Sequence, residues 1–259
     1  MIPISQEWLT TNVTVWMLMS LRIFGCFLTM PLFAFRAHPL RVRLVFALAL
    51  AYSLLPLAAT RLPAMPTEEA TFFTAAMELA IGLMAGWIVR VGLMAFDIVA
   101  EVVALQTGLS FAANAYQDPS LSSGITSELL GLVAIAIAFA LNLHLVFIDL
   151  IVRSFWVLPF GTWPAAWEWN GLLALVSQTF AFGVVLALPV IVIYLVINSA
   201  QAVLVRVSPQ LNLFAIGFAI SVPIAFLVLS IMIPAFPEAV ERALEPAFAW
   251  IAEGLLSGR

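Results

Sequence analysis

The chain has 259 residues, of which 64% are hydrophobic and 9% charged, with a mean hydropathy of +1.13 and a formal net charge of −4. Soluble domains are about half apolar and about a quarter charged, so these few charges cannot cover the apolar surface of a soluble fold, and the composition calls for an integral membrane protein rather than a soluble enzyme. All ten basic residues are Arg, which excludes a Walker-type phosphate loop and a Schiff-base lysine and leaves no basic patch for nucleic acid, while the single Cys26 excludes an intrachain disulfide or a cysteine metal cluster.

From the N-terminus, Met1 to Thr14 lack a basic leader and a small-residue cleavage site, so the first apolar stretch is read as a retained span. Six apolar segments then follow: Trp8–Phe35, Leu44–Leu62, Ala70–Leu105, Glu128–Val152, Leu172–Val205 and Leu213–Phe236. A helix crosses the bilayer core with about 20 apolar residues, and all but the third segment fit one crossing each. The third outruns a core of about 30 Å at about 1.5 Å per residue and must tilt, kink or stand partly outside lipid. Period-two alternation is absent, which argues against a β-barrel and for an all-α, multi-span fold.

The joints carry turn chemistry. Pro63 and Pro66 bound a short link, and Thr67 reads as an N-cap with Glu68 and Glu69 in the first helical turn. Asn114–Gly124 is the most polar interior segment and reads as a loop. Phe155–Asn170 holds Trp156, Trp163, Trp167 and Trp169 beside Pro159, Gly161 and Pro164, a clustering expected of an interfacial belt. Ser208-Pro209-Gln210 makes a tight turn, and Pro189, Pro223 and Pro234 predict kinks inside apolar helices. From Glu238 to Leu256, Val240, Leu244, Phe248, Ile251 and Leu255 fall at helical spacing against Glu241, Glu245 and Glu253, which predicts an amphipathic helix lying at the membrane surface. Arg36, Arg41 and Arg43 in the first loop, with Arg206 at the joint of the last two segments, place both loops on the cytoplasmic side.

Few residues offer chemistry. Arg90, Asp97 and Glu101 fall on one helical face, with Glu78 off it. A charged face toward lipid is costly, so this one is expected to be buried against a neighbouring helix or subunit, with a pore lining or ion relay as the other reading. Arg22 in the first segment has the same standing. Gly82 and Gly86 form a small-xxx-small pair that lets two helices approach closely. His38 and His144, the only histidines, have no metal-ligand spacing, and no nucleophile elbow or catalytic constellation is present. The expectation is a pore or assembly component with no catalytic residue, no metal and no cofactor.

Several blocks together resemble the flagellar biosynthetic protein FliR family and its virulence-secretion counterparts. They are Arg36-Ala-His-Pro-Leu-Arg-Val-Arg43, Gln106-Thr-Gly-Leu-Ser-Phe-Ala112 with Asp118-Pro119, Asn142-Leu-His-Leu145 with Leu158-Pro-Phe-Gly161, and above all Arg206-Val-Ser-Pro-Gln-Leu-Asn-Leu-Phe-Ala-Ile-Gly-Phe218. The chain departs from the family pattern at Leu143, where Gly often precedes the histidine, and in the Ala-Asn-Ala-Tyr of the central loop.

The resemblance implies a subunit of the type III secretion export gate, in the bacterial inner membrane and partly above its plane, within the flagellar basal body. It implies a FliP-like part over 1–170, a FliQ-like hairpin over 171–236 and an amphipathic tail over 237–259. The loop 106–124 would be the pore plug, with Gln106, Gly108, Phe111, Tyr116, Asp118 and Pro119 as its residues. Arg206, Pro209, Gln210 and Asn212 would form the cytoplasmic turn and entrance. The implied partners are FliP-like and FliQ-like subunits, an FlhB-like protein at the entrance, membrane lipid and unfolded flagellar proteins as cargo. A virulence injectisome subunit with effectors as cargo is the first alternative. A small-solute transporter is the second, and it would need a midplane site and usually an internal repeat.

Overall fold

The computed structural model describes residues 6–31, 39–58, 71–108, 125–165, 167–207 and 213–256. These residues form α1 (Gln6–Thr29), α2 (Leu40–Ala58), α3 (Thr71–Thr107), α4 (Ile125–Ala140), α5 (Leu143–Val157), α6 (Trp169–Val207), α7 (Leu213–Met232) and α8 (Phe236–Leu256), with a 3-10 turn at Ile233–Ala235. No strand occurs among them. A helix satisfies its own backbone polar groups, which is why so apolar a chain folds this way.

Three helical runs are long and apolar enough to cross a membrane: Asn12–Thr29, Trp169–Leu204 and Ala219–Leu256; the bent pair Thr126–Ala140 and Leu143–Val157 adds a fourth if it is one span. The segment Glu128–Val152, expected to cross once, is not one straight helix. The helix breaks at Leu141–Asn142 and its two halves meet at 69°. Asn142 takes a left-handed conformation, φ 59° and ψ 21°, which Asn tolerates better than most residues. Its carbonyl accepts the N–H groups of Leu145 at 2.9 Å and Val146 at 3.4 Å, starting α5 afresh. Pro189 and Pro223 do lie inside α6 and α7, but Pro234 falls in the 3-10 turn between α7 and α8.

The chain forms two compact units. One comprises Met1–Gly92, Asn142–Leu175 and Glu245–Arg259. Its core holds Met19, Ile23 and Met30 of α1, Ala47 and Ala51 of α2, and Phe147 and Phe155 of α5. The Trp16 indole Nε1 donates to the Leu48 carbonyl at 3.1 Å, tying α1 to α2. In the same unit Trp167 stacks on Trp250 with ring centroids 5.1 Å apart, and Trp163 meets Trp167 edge-on. Gly171 and Gly254 leave the room these indoles occupy. The interfacial belt expected from the tryptophans is thus divided: Trp167 is 8% exposed, a packing residue, and only Trp169, at 76%, stands out fully.

The other unit comprises Leu93–Leu141 and Val176–Leu244. Phe96 of α3 meets Phe236 of α8 edge-on with centroids 5.7 Å apart. Gly183 of α6 lies so close to α3 that an added Cβ would sit 3.1 Å from the Ala95 backbone. The Tyr194 hydroxyl of α6 donates to the Ser221 carbonyl of α7 at 2.5 Å. The amphipathic character expected of the C-terminal segment holds for α8, but its setting differs. Val240, Leu244, Ile251 and Leu255 are fully buried within the chain, so the apolar stripe is spent on protein packing rather than laid on a membrane surface.

Candidate functional site

Among the described residues, the charged side chains buried most completely form an ion pair in the first unit. Arg22 Nε lies 2.6 Å from Glu78 Oε2, and both side chains are 0% exposed. Arg22 Nη1 donates to Ser154 Oγ at 2.9 Å, and the Ser154 hydroxyl donates onward to the Ile151 carbonyl at 2.6 Å. The second carboxylate oxygen of Glu78 accepts the Gly161 N–H at 3.1 Å. Arg22 Nη2 has no hydrogen-bond acceptor among the described residues; the Phe155 ring, with its centroid 4.8 Å from Cζ, supplies a further attraction for the cation. Two charges so far from water are tolerable only because they neutralise each other and their remaining hydrogen-bonding groups are mostly satisfied. The cluster joins α1, α3, α5 and the turn after α5. Gly161 makes that turn possible: its φ is +78°, and an added Cβ would lie 2.9 Å from Thr74 Oγ1.

One turn along, Gly82 and Gly86 pack α3 against α1. A Cβ on Gly82 would collide with the Arg22 carbonyl, and one on Gly86 would come within 2.5 Å of the Cys26 carbonyl. Gly25 of α1 reciprocates: a Cβ there would lie 2.5 Å from the Leu79 carbonyl. Thr29 Oγ1 donates across this seam to the Leu83 carbonyl at 2.9 Å. The small-xxx-small pair therefore serves contact within the chain.

The charged face of α3 was expected to be buried against a neighbouring helix or subunit, and the chain by itself leaves it open. Arg90, Asp97 and Glu101 are all exposed on the chain itself, and the buried charges are Arg22 and Glu78. The helical arc holds, but its burial is not achieved by this chain. At the end of the same helix, Gln106 Oε1 accepts from Asn198 Nδ2 of α6 at 3.4 Å. Thr107 caps the last turn by bonding to the Val103 carbonyl at 2.8 Å, and Gly108 follows at φ +77°, breaking the helix. The other plug residues expected from the resemblance, Phe111, Tyr116, Asp118 and Pro119, lie outside the described residues, as do Pro209, Gln210 and Asn212 of the turn. Arg206 is described: it is exposed in the last turn of α6. Thr67 and His38 also lie outside the described residues.

Sequence reasoning marked Arg22 and Glu78 as ionisable residues in apolar segments but did not pair them. The signal was present, the one base of α1 and the one acid of α3 off its charged face, but pairing residues 56 apart in sequence needs the packing of α1 on α3. Ser154, Asn198 and Gly25 carried no comparable signal. Among the described residues, no group of three or more His, Cys, Asp and Glu side chains gathers to hold a metal ion.

Comparison with known proteins identifies the family. The family of bacterial export proteins, family 1, matches residues 13–247. The chain is 30% identical over 258 residues to the flagellar biosynthetic protein FliR of Escherichia coli, covering 96% of this chain and 95% of that one. It is 34% identical to the FliR of Caulobacter vibrioides, covering 78% and 81% of the two chains, and 30% identical to that of Pectobacterium carotovorum, covering 90% and 89%. A match that runs from α1 into α8 leaves no helix unaccounted for, and the chain belongs to the bacterial export protein family of the FliR flagellar biosynthetic proteins.

Proposed function

We propose that the chain is a structural and gating subunit of the flagellar type III export gate, forming part of the membrane-embedded channel that passes unfolded flagellar subunits. The observation that carries this reading is the family match over residues 13–247, with relatives named as flagellar biosynthetic proteins over nearly their whole length. The apolar helical runs long enough to cross a membrane agree with it. The inner membrane is the site we propose, partly above its plane, with FliP-like and FliQ-like subunits beside the chain and an FlhB-like protein at the entrance. Support for such neighbours comes from α6, whose candidate span is only 22% buried by its own chain. In a FliQ-like hairpin α6 and α7 would run antiparallel, and the Tyr194–Ser221 hydrogen bond between them is compatible with that.

Within this reading Gln106–Gly124 is the plug. Support comes from its root: α3 is broken at Gly108, and Gln106 is tied to Asn198 just before the break. Polar, irregular backbone between apolar helices is tolerated only inside protein or beside a water-filled cavity. Deleting Ser110–Ser122 is expected to leave the complex assembled but leaky to ions in cells that make the full gate and no cargo. An assembled deletion complex as impermeable as wild type would remove the plug from this loop.

A further inference from the structure

Between α1, α2 and α5 of the first unit lies an apolar slot of about 250 Å3, its open mouth included. Ile23, Cys26 and Ile151 are buried along it, and Leu50, Leu54 and Val152 are half-buried beside them. Apart from the Cys26 thiol, every side chain lining the slot is a hydrocarbon. Water would find no hydrogen-bonding partner there. A small-molecule ligand needs about 300–1,000 Å3 and a few polar groups to fix its orientation, and the slot offers neither. What suits it is a few links of a hydrocarbon chain.

The walls say where such a chain comes from. The α1 wall lies in the run Asn12–Thr29, and the α5 wall in Leu143–Val157, half of the bent pair; both runs qualify by length and composition as membrane-crossing helix. The α2 wall carries a charge in register with the slot. At 100° per residue Arg43 falls within about 20° of both Leu50 and Leu54, on one face of α2. It precedes them by about 10 Å and about 16 Å along the helix. Arginines at the start of an apolar helix mark the headgroup level, and one leaflet of hydrocarbon is about 15 Å deep, half of a core of about 30 Å. The slot therefore sits at the depth of the acyl chains. Phe46, 65% exposed, stands between Arg43 and Leu50 in height and continues the apolar surface. Arg43 is half-buried in the first turn of α2, where the helix dipole also favours an anion. A guanidinium has five N–H donors, so a partner within the chain still leaves some for a phosphate.

We propose that the slot and Arg43 together form a phospholipid site, in which one acyl chain of an anionic phospholipid lies between α1, α2 and α5 and Arg43 holds its phosphate. A neighbouring protein would have to supply an apolar residue for the slot and, separately, an acid for Arg43. A phospholipid carries both parts on one molecule at the required spacing. The site needs these helices to meet lipid and does not depend on the gate-subunit reading.

The test uses the complex purified through a tag on this chain and reconstituted in vesicles of phosphatidylethanolamine with a trace of phosphatidylglycerol that carries a diazirine in mid-chain. After irradiation the lipid adducts are mapped by peptide mass spectrometry. Adducts are expected to concentrate on residues 23–27, 50–54 and 147–152, and to fade when unlabelled phosphatidylglycerol competes. Adducts as dense over the exposed apolar residues of α6 as over the slot overturn the proposal. So does a slot without adducts, which would mean that protein covers it. Leu54→Trp, which fills the slot, is expected to cut labelling there at least about tenfold, the worth of about two excluded methylenes. Arg43→Gln is expected to cut labelling by phosphatidylglycerol about fivefold, and to leave unchanged the labelling by a diacylglycerol with the same diazirine chain, which has no phosphate. Undiminished slot labelling in Leu54→Trp, or an equal response to both probes in Arg43→Gln, overturns the proposal. The wild-type map needs no variant, so it decides the matter even if a variant fails to fold. A chain that purifies alone can be mapped in the same vesicles, so failure of the gate-subunit reading shows separately.

Discussion

Replacing Glu78 by leucine strands a guanidinium in a site with no access to water. Arg22 loses the partner that its Nε holds at 2.6 Å, and the Gly161 N–H loses its acceptor, a carboxylate oxygen at 3.1 Å. Ser154 remains, but a hydroxyl carries no compensating charge. Breaking one side of a buried ion pair costs about 3–5 kcal/mol, a large share of the about 5–15 kcal/mol by which folded proteins are stable. The double variant Arg22→Met/Glu78→Leu removes the charge together with its partner. Apolar side chains of similar volume in place of a buried pair are often neutral or better, so only the orphaned Gly161 amide, worth about 1–3 kcal/mol, should still register. The double variant is therefore expected to be more stable than Glu78→Leu alone, with a coupling of at least about 2 kcal/mol in the cycle. Heating the purified complex in detergent and measuring what survives size-exclusion chromatography gives the ranking. If Glu78→Leu melts with the wild type, or if the two single losses simply add in the double variant, Arg22 and Glu78 do not act as a pair.

Gly82→Ala should cost about 1–3 kcal/mol because the Arg22 backbone must move away from the new Cβ, whereas Gly131→Ala in α4, with open space around it, should be neutral or stabilise by about 0.5–1 kcal/mol; matched melting curves in detergent check both, and equal effects would refute close α1–α3 packing. Gly161→Ala is expected to destabilise by about 1–2 kcal/mol, since its φ of +78° and the nearby Thr74 both oppose a side chain; a wild-type melting temperature would speak against this turn. For topology, cysteines at Ala37 and at Ser208 in a Cys26→Ser background should resist a membrane-impermeant thiol reagent in intact spheroplasts and react after lysis, and labelling of either before lysis would reverse the orientation inferred from the arginines.

The helical class and the approximate extent of most helices were legible because they follow from composition and run length, which are local. What escaped the sequence was tertiary. Glu128–Val152 reads as one apolar segment, and the lone Asn142 within it, a residue that tolerates the left-handed conformation, is too weak a signal to announce a bend of 69°. Trp167 and Trp169 are the same residue type two positions apart, yet one is a stacked core residue and the other is open. What distinguishes them is the room left for the Trp167 indole by Gly254 and its stacking on Trp250, both far along the chain. The ionisable residues of α3 show the same limit. Periodicity put Arg90, Asp97 and Glu101 on one face and Glu78 off it, which is how they lie. It could not say that the isolated residue was the buried one. Glu78 is buried because α1 brings Arg22 to it, whereas Arg90, Asp97 and Glu101 stand exposed on the chain.

The length of α6 bears on why the protein needs neighbours at all. Its candidate span, Trp169–Leu204, runs 36 residues and is 22% buried, against 50% for Asn12–Thr29. At about 1.5 Å per residue such a helix extends about 54 Å, while the hydrocarbon layer is about 30 Å thick. Even at a tilt of about 40°, near the upper end for membrane helices, it would project about 41 Å along the bilayer normal. About a quarter of that projection must leave the lipid. The excess cannot simply stand in water, because exposed apolar side chains continue along the helix: Phe180 and Val185 in its first half, Leu195 and Val196 beyond Pro189, and Val203 near its end are all about 60% exposed. A helix apolar on most sides is stable only where most sides are covered. Lipid can cover one stretch of α6, and other protein chains must cover the rest.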